Sequence, residues 1–175
     1  MLQKLGSQQI SDPQGRPTPY YRALDAKTKD ELSALLGLAN TVSVTPANPT
    51  GTTSTTGLMM GLGSSAVLTP GVSSRAIVRV LGGIANTTSG DGAAVQIRYG
   101  TGTAPANGDA LTGTGAGNVA RFTAAAANQV GSFGCAALIT GLVVGTAYWF
   151  DLGLAAGTGG AAKVQDLVVI IEERP

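Results

Sequence analysis

Strict alternation over Arg75–Gly102 constrains this chain more than any other feature. In its first half Ala76, Val78 and Val80 share one parity, and Arg75 and Arg79 take the other. In its second half Val95, Ile97 and Tyr99 alternate with Gln96 and Arg98. Side chains on a strand point to opposite faces with period two, so each half is a strand with one buried and one solvated face. Thr87–Gly92 between them holds residues that tolerate positive φ, and the pair reads as a β-hairpin. The same grammar recurs at Thr41–Thr45, Leu58–Gly63, Ala66–Thr69, Val119–Thr123, Phe133–Thr140, Thr146–Leu154 and Ala162–Glu173. Eight or nine short strands between Gly- and Pro-rich turns predict an all-β domain over residues 41–175, an antiparallel β-sandwich of jelly-roll type.

Residues 1–40 read differently. Asp12-Pro-Gln-Gly-Arg-Pro-Thr-Pro-Tyr-Tyr21 is neither helix nor central strand, because Pro13, Pro17 and Pro19 fix φ and remove donors. An extended strap is expected there. Thr28-Lys-Asp-Glu31 then matches a capping box, Leu32, Leu35 and Leu36 form a short apolar stripe, and Gly37 sits where a helix terminator belongs. One short helix this size is marginal alone and needs a surface to dock on. The expectation is an N-terminal attachment arm over residues 1–40.

Several function classes drop out on composition. The chain has no histidine, which removes His-based triads, His general bases and His metal sites. Its one cysteine, Cys135, lies on an apolar strand without a basic neighbour in sequence and reads as a buried small hydrophobe. Asp91, Asp109, Asp151 and Asp166 are scattered, and Asp91 in Ser89-Gly-Asp-Gly92 reads as a turn-stabilising side chain rather than a cation ligand. No Gly-rich turn leads into a phosphate-binding motif. The expectation is a non-enzyme with no cofactor and no metal. A net charge of +1 gives no field to draw nucleic acid or an anionic membrane. The longest aliphatic run, Leu167–Ile171, is far too short to cross a bilayer, and the first residues lack an export-signal core.

Charged residues make up 12% of the chain, about half the usual fraction. So few charges suggest a surface partly covered in an assembly. The run Leu167-Val-Val-Ile-Ile171 breaks the alternation, which predicts a strand buried on both faces, with Leu167, Val169 and Ile171 at a subunit interface. Gly100–Gly117 reads as a long loop with functional potential. Arg98, Asn107 and Trp149 are the candidate ligand contacts, Trp149 because its parity opposes Tyr148, Phe150 and Leu152. Arg79, Arg98 and Arg121 are outward residues that would line one face if their strands were neighbours.

Two stretches carry a resemblance. Ile10–Tyr21 resembles the D-x-x-G-R-P-T-P-x-F leader of tailed-bacteriophage minor structural proteins. Val95–Gly108 together with Gly145–Leu152 resembles a β domain of phage virion proteins, found also at the carboxyl end of tail-fibre-like chains. The resemblance implies a virion component, made in the host cytoplasm and anchored to another virion protein, of capsid or tail, through Asp12, Pro13, Arg16, Pro17, Pro19, Tyr20 and Tyr21. It implies no catalytic residue. A homotrimeric surface appendage of tail-fibre, spike or adaptor type is the expected role. A capsid decoration or head-fibre protein is the first alternative, and a stand-alone module binding host surface glycan the second.

Overall fold

A computed structural model describes residues 40–174. Residues 1–39 of the expected arm, with its anchoring residues and the expected Thr28–Leu36 helix, lie outside the described residues. Nine strands lie among the described residues: β1 (Thr41–Val44), β2 (Leu58–Met59), β3 (Val67–Leu68), β4 (Arg75–Asn86), β5 (Gly92–Thr101), β6 (Thr114–Thr123), β7 (Val130–Thr140), β8 (Tyr148–Ala156) and β9 (Ala162–Glu173). One 3₁₀ turn, Leu62–Ser64, is the only helical element among the described residues.

The strands form nested antiparallel pairs: β5 with β6, β4 with β7, β2 and β3 with β8, β1 with β9. Alternate pairs of the nest join into two sheets, β1-β9-β4-β7 and β2-β8-β5-β6, with β3 also on β8. A nested double-sheet winding of this kind is a jelly roll. The expected sandwich class is therefore the observed one.

The expected hairpin is not. β4 and β5 lie in opposite sheets, and Thr87–Asp91 arches between them. Alternation demands only that each strand bury one face, and two strands facing one another across a core satisfy it as well as two strands side by side. The arch is held by Asn86, which is fully buried. Its amide donates to the Gly92 carbonyl (2.7 Å), and its Oδ1 accepts from the Thr88 N–H (2.9 Å).

The core lies between the sheets. Val78, Val80 and Ile84 of β4 meet Val95 and Ile97 of β5 and Phe150, Leu152 and Leu154 of β8. The Phe150 ring stacks on Tyr99 at 6.2 Å. Cys135 is buried as expected, and burial pushes its thiol up.

On β9 the structure corrects the expected interface. Leu167, Val169 and Ile171 face the core at 2%, 1% and 0% exposure, so they are not available to another subunit. Val168 and Ile170 face outward and are only half-buried. Five consecutive apolar residues thus furnish both a core face and an apolar outer face, rather than a strand covered on both sides.

The loop between β5 and β6 is shorter than its composition suggests, running only from residue 102 to residue 113. It is pinned by this chain itself. Gly108 N–H donates to the Met59 carbonyl (2.9 Å), and Met59 N–H donates to the Asp109 carbonyl (2.9 Å).

Candidate functional site

The predicted ligand contacts do not form a site. Trp149 is 5% exposed, although its parity does point away from the core. Its Nε1 donates to the Thr101 carbonyl (3.2 Å), and its ring lies over Gly100 and Gly113. A Cβ on Gly100 would come within 2.5 Å of that ring, and one on Gly113, whose φ is +68°, would collide with it. Loop segments distant in sequence therefore cover a tryptophan that alternation alone leaves open. Arg98 Nη1 donates to the Thr112 (3.3 Å) and Gly113 (3.0 Å) carbonyls. Asn107 accepts from the Thr50 N–H (3.0 Å) and donates to the Thr50 carbonyl (3.2 Å). Each of the three holds a loop. Arg79, Arg98 and Arg121 do not line one face either, because β4 belongs to one sheet and β5 and β6 to the other.

Three buried carboxylates serve the backbone in the same way. Asp91 accepts N–H bonds from Gly160 (2.6 Å), Gly92 (2.7 Å), Thr158 (2.7 Å) and Gly159 (3.0 Å), which hold its carboxyl well below the usual range. The turn-stabilising reading of Asp91 is the observed one. Glu173 accepts from Asn40, Gly71, Val72 and Ser73. Burial raises its carboxyl, but the four N–H groups together outweigh that and lower it.

Asp151 goes the other way. It is 2% exposed, and burial pushes it up to about 6 against N–H bonds from Leu62 (3.0 Å), Leu152 (2.7 Å) and Gly61 (3.0 Å). Here β2 and β3 are two stubs on the same strand, and the turn between them leaves the sheet beside Asp151. The carboxylate takes N–H groups that a continuous strand would have paired.

The opposite shifts predict a stability maximum on the acid side of neutrality. A folded carboxyl at about 6, against 3.8 for the ordinary group, contributes ~3 kcal/mol that is fully present below pH 3.8 and lost as pH rises through 6. Asp91 and Glu173 contribute in the reverse sense, lost as pH falls below their ordinary values. Urea melts should therefore show stability rising from pH 7.5 to about 5 and falling below 4. In Asp151→Asn the rise should be absent while the fall remains. A wild-type profile flat from 7.5 to 5 would contradict this account of Asp151.

The remaining feature is the outer face of β1-β9-β4-β7. Inward Ala76, Val78 and Val80 leave Ile77, Arg79 and Leu81 outward on β4. Register sets Leu138, Ile77 and Glu172 in one row, Ala136, Arg79 and Ile170 in the next, and Gly134, Leu81 and Val168 in the third. Leu138 is 61% and Leu81 48% exposed. One ion pair lies among them, Arg79 Nη1 to Glu172 Oε2 at 2.8 Å, and Arg174 Nη2 reaches the same oxygen at 3.0 Å. The outer side of the other sheet carries Ala94, Gln96, Arg98, Gly153 and Ala155, with Val119 and the loop residue Leu111 also exposed there. A contiguous exposed apolar face such as that of β1-β9-β4-β7 marks a contact surface.

Among the described residues no cluster of His, Cys, Asp or Glu could hold a metal ion. No helix among them is long and apolar enough to cross a membrane.

No protein-family model and no curated protein matches the chain. Among solved structures, the Eiger TNF of S. frugiperda aligns with a TM-score of 0.35 and 7% identity, over 78% of this chain and 88% of that one. So low a score adds nothing to the strand order, which defines the fold by itself.

Proposed function

We propose that this chain is a structural protein of a bacteriophage virion, a homotrimeric surface appendage of tail-fibre, spike or adaptor type held by its N-terminal segment. The observation that carries the reading is the apolar outer face of β1-β9-β4-β7, a surface suited to contact between subunits. The leader-like Ile10–Tyr21 supports the attachment role, and the jelly-roll sandwich is compatible with a rigid module that other proteins carry. The chemistry-bearing side chains described above, Trp149 and the buried carboxylates, are committed to this chain's own backbone. The glycan-module alternative has lost its aromatic platform with the burial of Trp149. Protein mass spectrometry of purified phage particles tests the reading. The full chain should be recovered with the particles, and a chain beginning at residue 25 should remain in the unassembled fraction although folded.

A further inference from the structure

We propose that the outer face of β1-β9-β4-β7 is the contact between copies of this chain, and that the Arg79–Glu172 pair sets the register of that contact. The inference rests on reading the protein as a self-assembling structural component.

Size and shape favour a protein surface as the occupant. Three strands at their usual spacing, followed for about seven residues, with the four-residue β1 beside them, span roughly 400 Å² before side-chain relief is counted. That is a large part of the ~800 Å² per partner in a standard interface. The face is a sheet surface of outward side chains on β4, β7 and β9. One groove, about 610 Å³, lies at the β1 edge of this sheet, between Ser43–Ala47 and Met60–Ser65. A small ligand, which needs concave enclosure, is a poor match.

Charge and relief favour a second copy over other proteins. Two arginines, Arg79 and Arg174, share the one carboxylate of Glu172 there. A strongly basic partner finds no free carboxylate, whereas the uncharged Ser132–Ala136 stretch of a second copy meets the cluster without repulsion. Ile77, Leu81, Val168 and Ile170 form a ridge on β4 and β9. Beside it Ser132, Gly134 and Ala136 form a lower step on the edge strand β7, with Leu81 leaning over Gly134. A rotated copy can lay its ridge on that step head to tail, and three such contacts close the ring that a trimer requires.

The ion pair then has a second task. In the single chain Arg79 and Glu172 are 39% and 30% exposed and contribute little to folding. Covered by a copy, they lose water, and only arrangements that keep both charges paired are tolerated. A single polar contact in an apolar interface selects one register among several, as a buried polar residue does in helical assemblies.

The test uses the full chain in analytical ultracentrifugation, with thermal melts as a folding control. Glu172→Leu strands Arg79 and Arg174 at the contact, and should weaken association at least tenfold with little change in melting temperature. Glu172→Leu combined with Arg79→Leu and Arg174→Leu, which leaves no stranded arginine, should restore association, now spread over more than one mass. If the wild-type chain assembles and Glu172→Leu leaves its association constant unchanged, this face is not the contact, although self-assembly stands. If the triple variant reassembles to one mass, the register role is overturned. A wild-type chain that is monomeric throughout removes the inference and the self-assembly reading together.

Discussion

Replacing Leu81 and Leu138 together by glutamate should turn the assembled protein into monomers of 17.4 kDa without unfolding it. Both side chains are outward and about half or more exposed, at 48% and 61%. Exposed positions away from special features change folding stability by only about 0.5 kcal/mol either way. The cost falls on association instead. In a contact between copies, each subunit would bring two carboxylates into apolar surroundings, with Ile77, Val168 and Ile170 alongside. An unpaired buried charge costs several kcal/mol, and every 1.4 kcal/mol is tenfold in affinity, so a loss of more than ~100-fold is expected. Val143→Glu is the matching control. Val143 is 59% exposed, but it sits in the turn between β7 and β8 rather than on the sheet face. It should leave the assembled mass unchanged. Light scattering after size exclusion reads all three proteins. A double variant that stays assembled would exclude this face.

Phe150→Ala should have the opposite signature, a large loss of folding stability in each chain. Phe150 is 1% exposed on β8, which pairs with β5 on one edge and with β2 and β3 on the other. Its ring stacks on Tyr99 and packs in the core between the sheets. Truncating a fully buried phenylalanine removes its transfer free energy and leaves a cavity, together about 4 kcal/mol. For a domain of this size that is roughly 8–16 °C in Tm. The urea midpoint should fall while the m-value holds, since the same surface is exposed on unfolding. A loss under 1 kcal/mol would show that the core there is not packed as described.

These two variants also mark what can be read without a structure. That Phe150 faces the core follows from its parity with Tyr148 and Leu152, and that β9 runs over Ala162–Glu173 follows from its apolar run. Periodicity is local, so it reports faces and extents well. It does not report partners. Arg75–Gly102 alternates as a hairpin would, yet its halves face one another across the core, and only long-range pairing decides between the two. Trp149 shows the same limit. Its outward parity is correct, but its exposure depends on loop residues that approach because Gly100 and Gly113 leave room for the ring. Leu58–Gly63 reads as a strand, yet it pairs for only two residues. Gly61 turns at φ +75°, and Asp151, some ninety positions away in sequence, takes the N–H groups that follow. On β9 the apolar run was visible, but assigning its two parities to core and surface required the second sheet.

The chain's place in a particle tests the central claim most directly. Quantitative mass spectrometry of purified virions, calibrated against the major structural proteins, should find the full-length chain in a copy number divisible by three, and should find no chain that begins at residue 25. Purified virions that lack the full-length chain would contradict the account. So would particles that take up the truncated chain as efficiently as the full one.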